Sequence, residues 1–333
     1  MKVKIQDATD LSNKILKKLG FASEEATLIT ENVFEGELTN KKTHGFVRLL
    51  WLRNQINSEK VKVLSGEIEV VKETPVSLLV DGKGKTGFIV INKALQLGIN
   101  KAKKIGLVAV GVTNTAPASG LIGLYARKAT ENNLIFIGFN NSSGGLVPFG
   151  AIQELWGANP LTVGIPTNDL PVILDMASSQ ITWGGLLLAK SAGTKLKESV
   201  AIDKEGNVTT DPEKAMEGGL LPIAGHKGSG LAFIVELLGG ALTKSRVGHA
   251  IPGGWGSFFI LIKPDLFRDL SEFKNDVETA IKDLKSLPKQ KGVNEIYYPG
   301  EQSQKLRREL LKDGFVEIDN KLWSDLTLFA KNL

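Results

Sequence analysis

Apolar residues recur at helical spacing through the first sixty positions, alternate briefly after them, and then switch between the two patterns. In residues 1–20, lysines interleave with Ile5, Leu11, Ile15 and Leu19, a spacing of mostly four that predicts an amphipathic helix and not a secretory leader. Ser23 is placed to cap a second helix that turns Ala26, Ile29, Val33 and Phe34 inward and ends near Lys41 and Lys42. Thr43-His44-Gly45 breaks the pattern before a third helix over 46–56. Alternation at 61–63 and 68–70 and a β-rich run at 76–80 read as strands. The chain then predicts helix 88–104, strand 107–112, helix 120–131 and strand 134–139. Strands near 161–165 and 172–176, a helix at 179–192, a polar loop at 203–207, a helix over 227–243 and a late strand at 257–262 follow. Helices near 269–286, 301–313 and 320–331 close it. The expected class is α/β, with helical segments at both ends and no internal repeat.

Composition narrows the chemistry. Of 333 residues, 42% are hydrophobic and 23% charged, which is ordinary globular usage. The absence of cysteine excludes a disulfide scaffold, a thiol nucleophile and thiolate metal sites, and it fits a reducing, cytoplasmic setting. No apolar run reaches the roughly 18 residues a membrane helix needs, so no membrane partner is expected. The net charge of +5 is spread along the chain, without the basic and aromatic clustering of a nucleic-acid surface. One stretch, from Asp81 to Glu131, has no acidic residue between its ends; it reads as a solvated basic face or a field for small anions.

Gly82-Lys83-Gly84-Lys85-Thr86-Gly87 matches the G-x-G-x-x-G dinucleotide fingerprint after a predicted strand. That fingerprint needs an acid about 20 residues on. Here the next acid is Glu131, and the nearest arginine is Arg127. The glycines are therefore expected to serve backbone geometry, and a Rossmann site is rejected.

Three histidines, His44, His226 and His249, are the residues able to move protons near neutral pH. No H-E-x-x-H, nucleophile-elbow or Walker pattern occurs, and no metal site is expected. His44 and Arg48 lie four apart, so on a helix start both can address one space. A guanidinium clamping a carboxylate beside an imidazole that exchanges a proton suits a 2-oxo acid. The same spacing also fits a capping histidine with a surface arginine. His226-Lys227-Gly228-Ser229-Gly230 opens a helix, where free amides and a lysine make a phosphate or carboxylate pocket, or where glycine simply allows close packing. His249 falls in a loop and reads as surface. Asn159-Pro160 and Asp175-Met176-Ala177-Ser178 lie at strand ends, where α/β sheets bind ligands.

Thr43-His44-Gly45 with Arg48, Pro148-Phe149-Gly150, Gly157-Ala158-Asn159-Pro160, Asp175-Met176-Ala177-Ser178, His226-Lys227-Gly228-Ser229-Gly230-Leu231 and Pro299-Gly300-Glu301 occur in that order. Together they resemble the type-2 malate/L-lactate dehydrogenase family, which includes ureidoglycolate dehydrogenase, 2,3-diketo-L-gulonate reductase, sulfolactate dehydrogenase and piperideine-2-carboxylate reductases. The resemblance covers nearly the whole chain. It implies a non-Rossmann α/β fold binding NAD or NADP, with a mainly helical domain from residues 1–70 and 265–333 around a central cofactor and substrate region, 71–264. It implies a homodimer with the site near the subunit interface, and a small 2-hydroxy or 2-oxo acid as substrate. His44 becomes the proton donor or acceptor, with Arg48 and Thr43 at the substrate. Cofactor contacts map onto Ser142, Asp175, Met176, Ala177, His226, Lys227, Gly300 and Glu301. Many relatives carry a second histidine where this chain has Pro117 or Ala118, neither of which can carry a proton. The alternatives are a cyclic-imine reductase, a ureidoglycolate or diketogulonate type of enzyme, and a non-catalytic NAD(P)-binding protein.

Overall fold

Where the spacing turns from helical to alternating, the chain enters its main sheet. The computed structural model describes residues 1–63 and 66–332. The first segment holds β1 (Lys2–Lys4), α1 (Ile5–Lys18), α2 (Ser23–Leu38), a 3-10 turn at Lys42–His44 and α3 (Val47–Asn57). The central segment runs β2 (Glu69–Thr74), β3 (Ser77–Asp81), α4 (Gly87–Ile105), β4 (Leu107–Thr115), α5 (Ile122–Glu131), β5 (Ile135–Asn140), β6 (Leu161–Ile165) and β7 (Val172–Met176). After it come α6 (Trp183–Ser191), β8 (Ala201–Ile202), α7 (Pro212–Glu217), β9 (Gly219–Leu220), α8 (His226–Glu236) and β10 (Trp255–Ile262). The chain finishes with α9 (Leu270–Ser286), α10 (Glu301–Asp313), β11 (Phe315–Glu317) and α11 (Asn320–Asn332).

The main sheet has seven strands in the order β2-β3-β4-β10-β5-β6-β7. Only β3 and β4 pair in parallel, joined by α4; every other pair is antiparallel. A mixed sheet with a single parallel pair is not a Rossmann sheet. The glycine turn confirms its structural role. The amides of Gly82 and Gly84 donate to Thr113 O and Asn114 O at 2.9 and 2.8 Å, those of Lys83 and Lys85 to Asp81 Oδ1 and Gly82 O. These four amides, two spent on the end of β4 and two within the turn, are not available to a pyrophosphate.

Two cores carry the fold. One collects Leu78, Val80, Leu95, Val110, Tyr125, Phe136 and Phe259 between the sheet and α4 and α5. The other draws on both chain ends: Ile15, Leu16, Ile29, Phe46 and Leu52 pack with Val316, Leu326 and Phe329. β1 pairs with β11 and the amino terminus donates to Ile318 O at 2.7 Å, so the first residues form a strand ahead of the expected helix. The alternation at 61–63 makes no strand; Val61 closes the terminal core. The helix expected over 179–192 starts later, at Trp183, because Gln180 N bonds to Leu221 O and the Thr182 hydroxyl caps Gly185 N at 3.1 Å. The helix expected over 227–243 ends at Glu236 and widens into a π turn over Leu237–Ala241. Gly239 and Gly240 explain this: β-carbons there would lie 2.8 Å from Asn141 N and 2.5 Å from Arg246 O.

The acid-free stretch is not a basic patch in space. Lys85 pairs with Glu25, Lys93 with Glu24 and Glu67, Lys101 with Glu73, Lys128 with Glu31, and Arg127 with Glu35 and Glu131. Acids from α2 and the β2 region answer the cations of α4 and α5.

Candidate active site

The sheet registers set one end apart. Thr115 ends β4 opposite Trp255, Asn140 ends β5 opposite Ser257, and Met176 ends β7 opposite Leu161. Segments 116–121, 141–160 and 177–182 therefore leave from the same end of the sheet, each from the carboxyl end of its strand.

The His44 turn is held by α2. The chain reverses at Asn40, in the left-handed region (φ 57), and enters the 3-10 turn. Glu37, only 2% exposed, organises that reversal: Oε1 accepts from Phe46 N at 2.8 Å and Oε2 from Lys42 Nζ at 2.6 Å. Gly36 lets helix and turn meet backbone to backbone, since a β-carbon there would lie 2.6 Å from the His44 carbonyl. The His44 ring is half-buried, with Nδ1 3.2 Å from Thr43 Oγ1. Burial, then the charges of Arg48 and Lys41, hold its pKa down to about 3, so the imidazole is neutral at pH 7. With Nδ1–H donating to Thr43, Nε2 is left as a proton acceptor; the other tautomer makes it a donor.

Arg48 lies in the first turn of α3. Its Nε donates to Thr43 O at 2.8 Å and its guanidinium stacks 5.3 Å from the Trp51 ring centre. Its two terminal nitrogens make no hydrogen bond among the described residues. A fork fixed at its root with its tips unengaged can grip a carboxylate in two parallel hydrogen bonds. The structure thus brings Thr43, His44 and Arg48 together, as the spacing suggested.

A second wall faces this turn. Thr43 packs on Gly184, where a β-carbon would lie 2.9 Å from Thr43 Cβ, and Lys41 acts electrostatically on both His44 and Asp175. Asp175 accepts from Gly123 N and Thr162 Oγ1, each at 2.8 Å. It therefore caps α5 and not the helix that follows it; burial raises its pKa, opposed by these bonds. Asn159 joins the remaining pieces. It accepts from Ser142 N, donates to Ala232 O and to Glu236 Oε2, and its carbonyl accepts from Ser178 Oγ at 2.7 Å. Ile223 N donates to Ser178 O, which places the loop before α8 alongside Met176 and Ala177. Ser142, the 175–178 segment, His226 and Lys227 so belong to one connected wall, and His226 and Lys227 are exposed at its helix start.

Gly300 and Glu301 are set apart. Gly300 (φ 84) lies against Ile173, and the Glu301 carboxylate is already engaged by Lys285 and Lys305. His249 is exposed, with Nε2 3.1 Å from Glu154 O, in line with a surface role. Pro117 and Ala118 fold over the start of α4, where Ala118 O accepts from Phe88 N, and supply no proton carrier. Spacing alone missed Gly36, Glu37, Gly184 and Trp51. Glu35-Gly36-Glu37 at buried positions of an apolar helix was the available signal.

The malate/L-lactate dehydrogenase family model matches residues 3–327. The chain belongs to that family. It is 33% identical over 336 residues to the malate/(S)-sulfolactate dehydrogenase of Methanothermus fervidus, covering 98% of this chain and 97% of the relative. The solved sulfolactate dehydrogenase of Methanocaldococcus jannaschii superposes with a TM-score of 0.88 at 31% identity, over 100% of this chain and 97% of that one. The malate dehydrogenase of Pyrococcus horikoshii superposes at 0.89 with 30% identity, over 100% and 95%. Family members are named for NAD(+) and for NADP(+). As a member of this family the chain is an NAD(P)-dependent 2-hydroxy-acid oxidoreductase with a mixed, non-Rossmann sheet. No helix among the described residues is long and apolar enough to cross a membrane.

The second wall fits such a cofactor. Lys227 is exposed and makes no ion pair among the described residues; it stands at the start of α8 behind Gly225 (φ 60), where the amides of Lys227 and Gly228 donate to Ala224 O and Ile223 O. The Ser142 hydroxyl makes no hydrogen bond among the described residues, and β-carbons at Gly157 or Gly228 would collide with their neighbours. An exposed lysine and an unengaged hydroxyl on one wall are groups a dinucleotide phosphate can use, while those glycines serve close packing of the wall itself.

Proposed function

We propose that this chain interconverts a small 2-hydroxy acid and its 2-oxo acid, with malate and lactate as reference substrates. The observation that carries this reading is the neutral His44 beside an Arg48 whose terminal nitrogens are unengaged. Arg48 holds the C1 carboxylate in two parallel hydrogen bonds, and Thr43 fixes the ring that faces the substrate oxygen. In oxidation, His44 takes the hydroxyl proton as the C2 hydrogen leaves; in reduction it returns a proton to the carbonyl oxygen. NAD or NADP, when bound, supplies hydride exchange at C2. Ser142, Asp175, Met176, Ala177, His226 and Lys227 would hold it, with Gly300 and Glu301 at the β7 side. The active form is a homodimer, supported by apolar side chains left exposed on α6 and α8. A terminal helical domain (1–70 and 265–333) around a central region (71–264) is part of the same reading, as is a cytoplasmic setting, which the cysteine-free composition supports.

The test is a panel of pyruvate, oxaloacetate, sulfopyruvate, a cyclic imine acid and ureidoglycolate, each followed by NADH and NADPH absorbance. Turnover concentrated on 2-oxo acids is the expected result. Turnover confined to the imine or ureidoglycolate moves the substrate elsewhere, and cofactor binding without any turnover overturns the reading.

A further inference from the structure

The end of the sheet opposite the candidate site carries a cavity of about 380 Å³. It opens beside the turn joining β6 to β7, among the last turn of α5, the first half of α9 and the middle of α10. The five residues of β7 put it roughly 16 Å from the Asp175 end. Its charged lining is mostly cationic, with Arg127, Lys274, Arg307 and Arg308 against Glu131 and Asp169.

Not all of these groups are spent on each other. Arg127 is saturated by both oxygens of Glu35 and by Glu131, and Arg308 is paired with Asp169. Arg307 uses only Nε, on Glu35 Oε2 at 3.0 Å, and Lys274 makes no ion pair among the described residues. Gln304 is 6% exposed, lines the cavity, and its side-chain amide makes no hydrogen bond among the described residues. Its amide atoms are open to the cavity rather than sealed off, so they are placed to bond what enters it. We propose that this cavity is a binding site for a small polyanion, a phosphate or a di- or tricarboxylate, held by Gln304, Lys274 and the free nitrogens of Arg307.

The site is wired to the active site through three elements. Glu35 accepts Arg127 and Arg307, and its next two neighbours, Gly36 and Glu37, hold the His44 turn. α5 carries Arg127 in its middle and, one turn earlier, binds Asp175 through Gly123 N. α10 carries Arg307 one and a half turns beyond Gly300 and Glu301. An anion that draws Arg307 off Glu35 therefore loosens a contact one residue from Gly36, which packs on the His44 turn. Occupancy would alter turnover from a distance, with binding energy that differs between the two arrangements.

The experiment titrates phosphate and citrate into the full-length protein at constant ionic strength against chloride, by calorimetry and thermal shift, with and without saturating NADH and NADPH. Saturable binding that persists with either cofactor, and that weakens about ten-fold in Lys274→Ala and in Gln304→Leu, is expected. Both variants must first show wild-type circular dichroism; Lys274→Gln replaces one that does not, and Gln304→Glu the other. Phosphate alone binding, or citrate alone, identifies which polyanion fits, and either outcome supports the site. No anion-specific binding beyond chloride overturns the proposal. So does binding that cofactor abolishes, since the anion then sat in the dinucleotide wall, and so does binding that neither variant changes.

Discussion

At His44, three effects act on one proton. Desolvation and two cations favour the neutral ring, which on the proposed mechanism is the form that accepts the hydroxyl proton during oxidation. In reduction the free enzyme must first be protonated, against a pKa near 3. A bound carboxylate on Arg48 removes part of the repulsion and makes the imidazolium easier to form. Two pH profiles follow. kcat/KM for oxidation should be insensitive to His44 from about pH 5 to 8, because the base is already neutral. kcat/KM for reduction should fall about ten-fold for each unit rise over the same range, since the protonated fraction falls by that factor. The slopes differ by one proton, as the overall reaction demands. A flat reduction profile would show that His44 does not deliver the proton. Replacement His44→Ala should lower turnover by roughly 10²–10⁴-fold if the ring is the general acid and base, with cofactor affinity by fluorescence titration little changed. Wild-type turnover in that variant removes His44 from the reaction. The residue pair itself was legible in the sequence, because i and i+4 spacing on a helix start puts two side chains over one space. Its electrostatic state was not, because it depends on Lys41 and on burial by α2 and α6.

At the level of elements, the turn is only as well placed as the helix beneath it. Gly36 sits inside α2, where glycine costs roughly 0.5–1 kcal/mol relative to alanine. That cost is offset by the close approach to His44, which no other residue permits. Gly36→Ala therefore sets helix propensity against position. A β-carbon 2.6 Å from the His44 carbonyl must push the turn away by a good fraction of an ångström. Displacements near 1 Å cost about 10² in rate, so kcat/KM should fall about that far while α2 remains helical by circular dichroism. Unchanged kinetics would mean the turn adapts freely and that Glu37 alone positions it. The same elements show why patterns read some boundaries well and others poorly. α4 and the C-terminal helices carry their own periodicity, so their ranges were readable. β1, the late start of α6 and the π turn after α8 were not. Each is decided by a distant partner: Val316 for β1, Leu221 for Gln180, and Asn141 with Arg246 for the glycine pair.

At the scale of the whole molecule, both walls of the site border surface that a lone chain leaves unfinished. On α8 and the turn after it, Phe233, Ile234, Leu237 and Leu242 are 48, 50, 36 and 57% exposed, and on α6 Leu187 and Leu188 are 41 and 58% exposed. Single exposed apolar residues are ordinary, but several on the two helices that frame one site make a patch that monomers rarely present to water. The family resemblance placed the site near a subunit interface, and these helices are where such an interface would complete it. The wild-type protein should sediment as a dimer at micromolar concentration. Ile234→Asp places a charge in the middle of that face, where burial without a partner costs several kcal/mol, and should shift the protein to monomer. Because Ile234 is half exposed in the single chain, the subunit fold should survive, which circular dichroism checks. Turnover should then fall at least ten-fold at assay concentrations and recover as protein concentration rises, since assembly follows mass action. A fully active monomeric wild type would show instead that α6 and α8 complete the site without a second copy, and the exposed face would need another explanation.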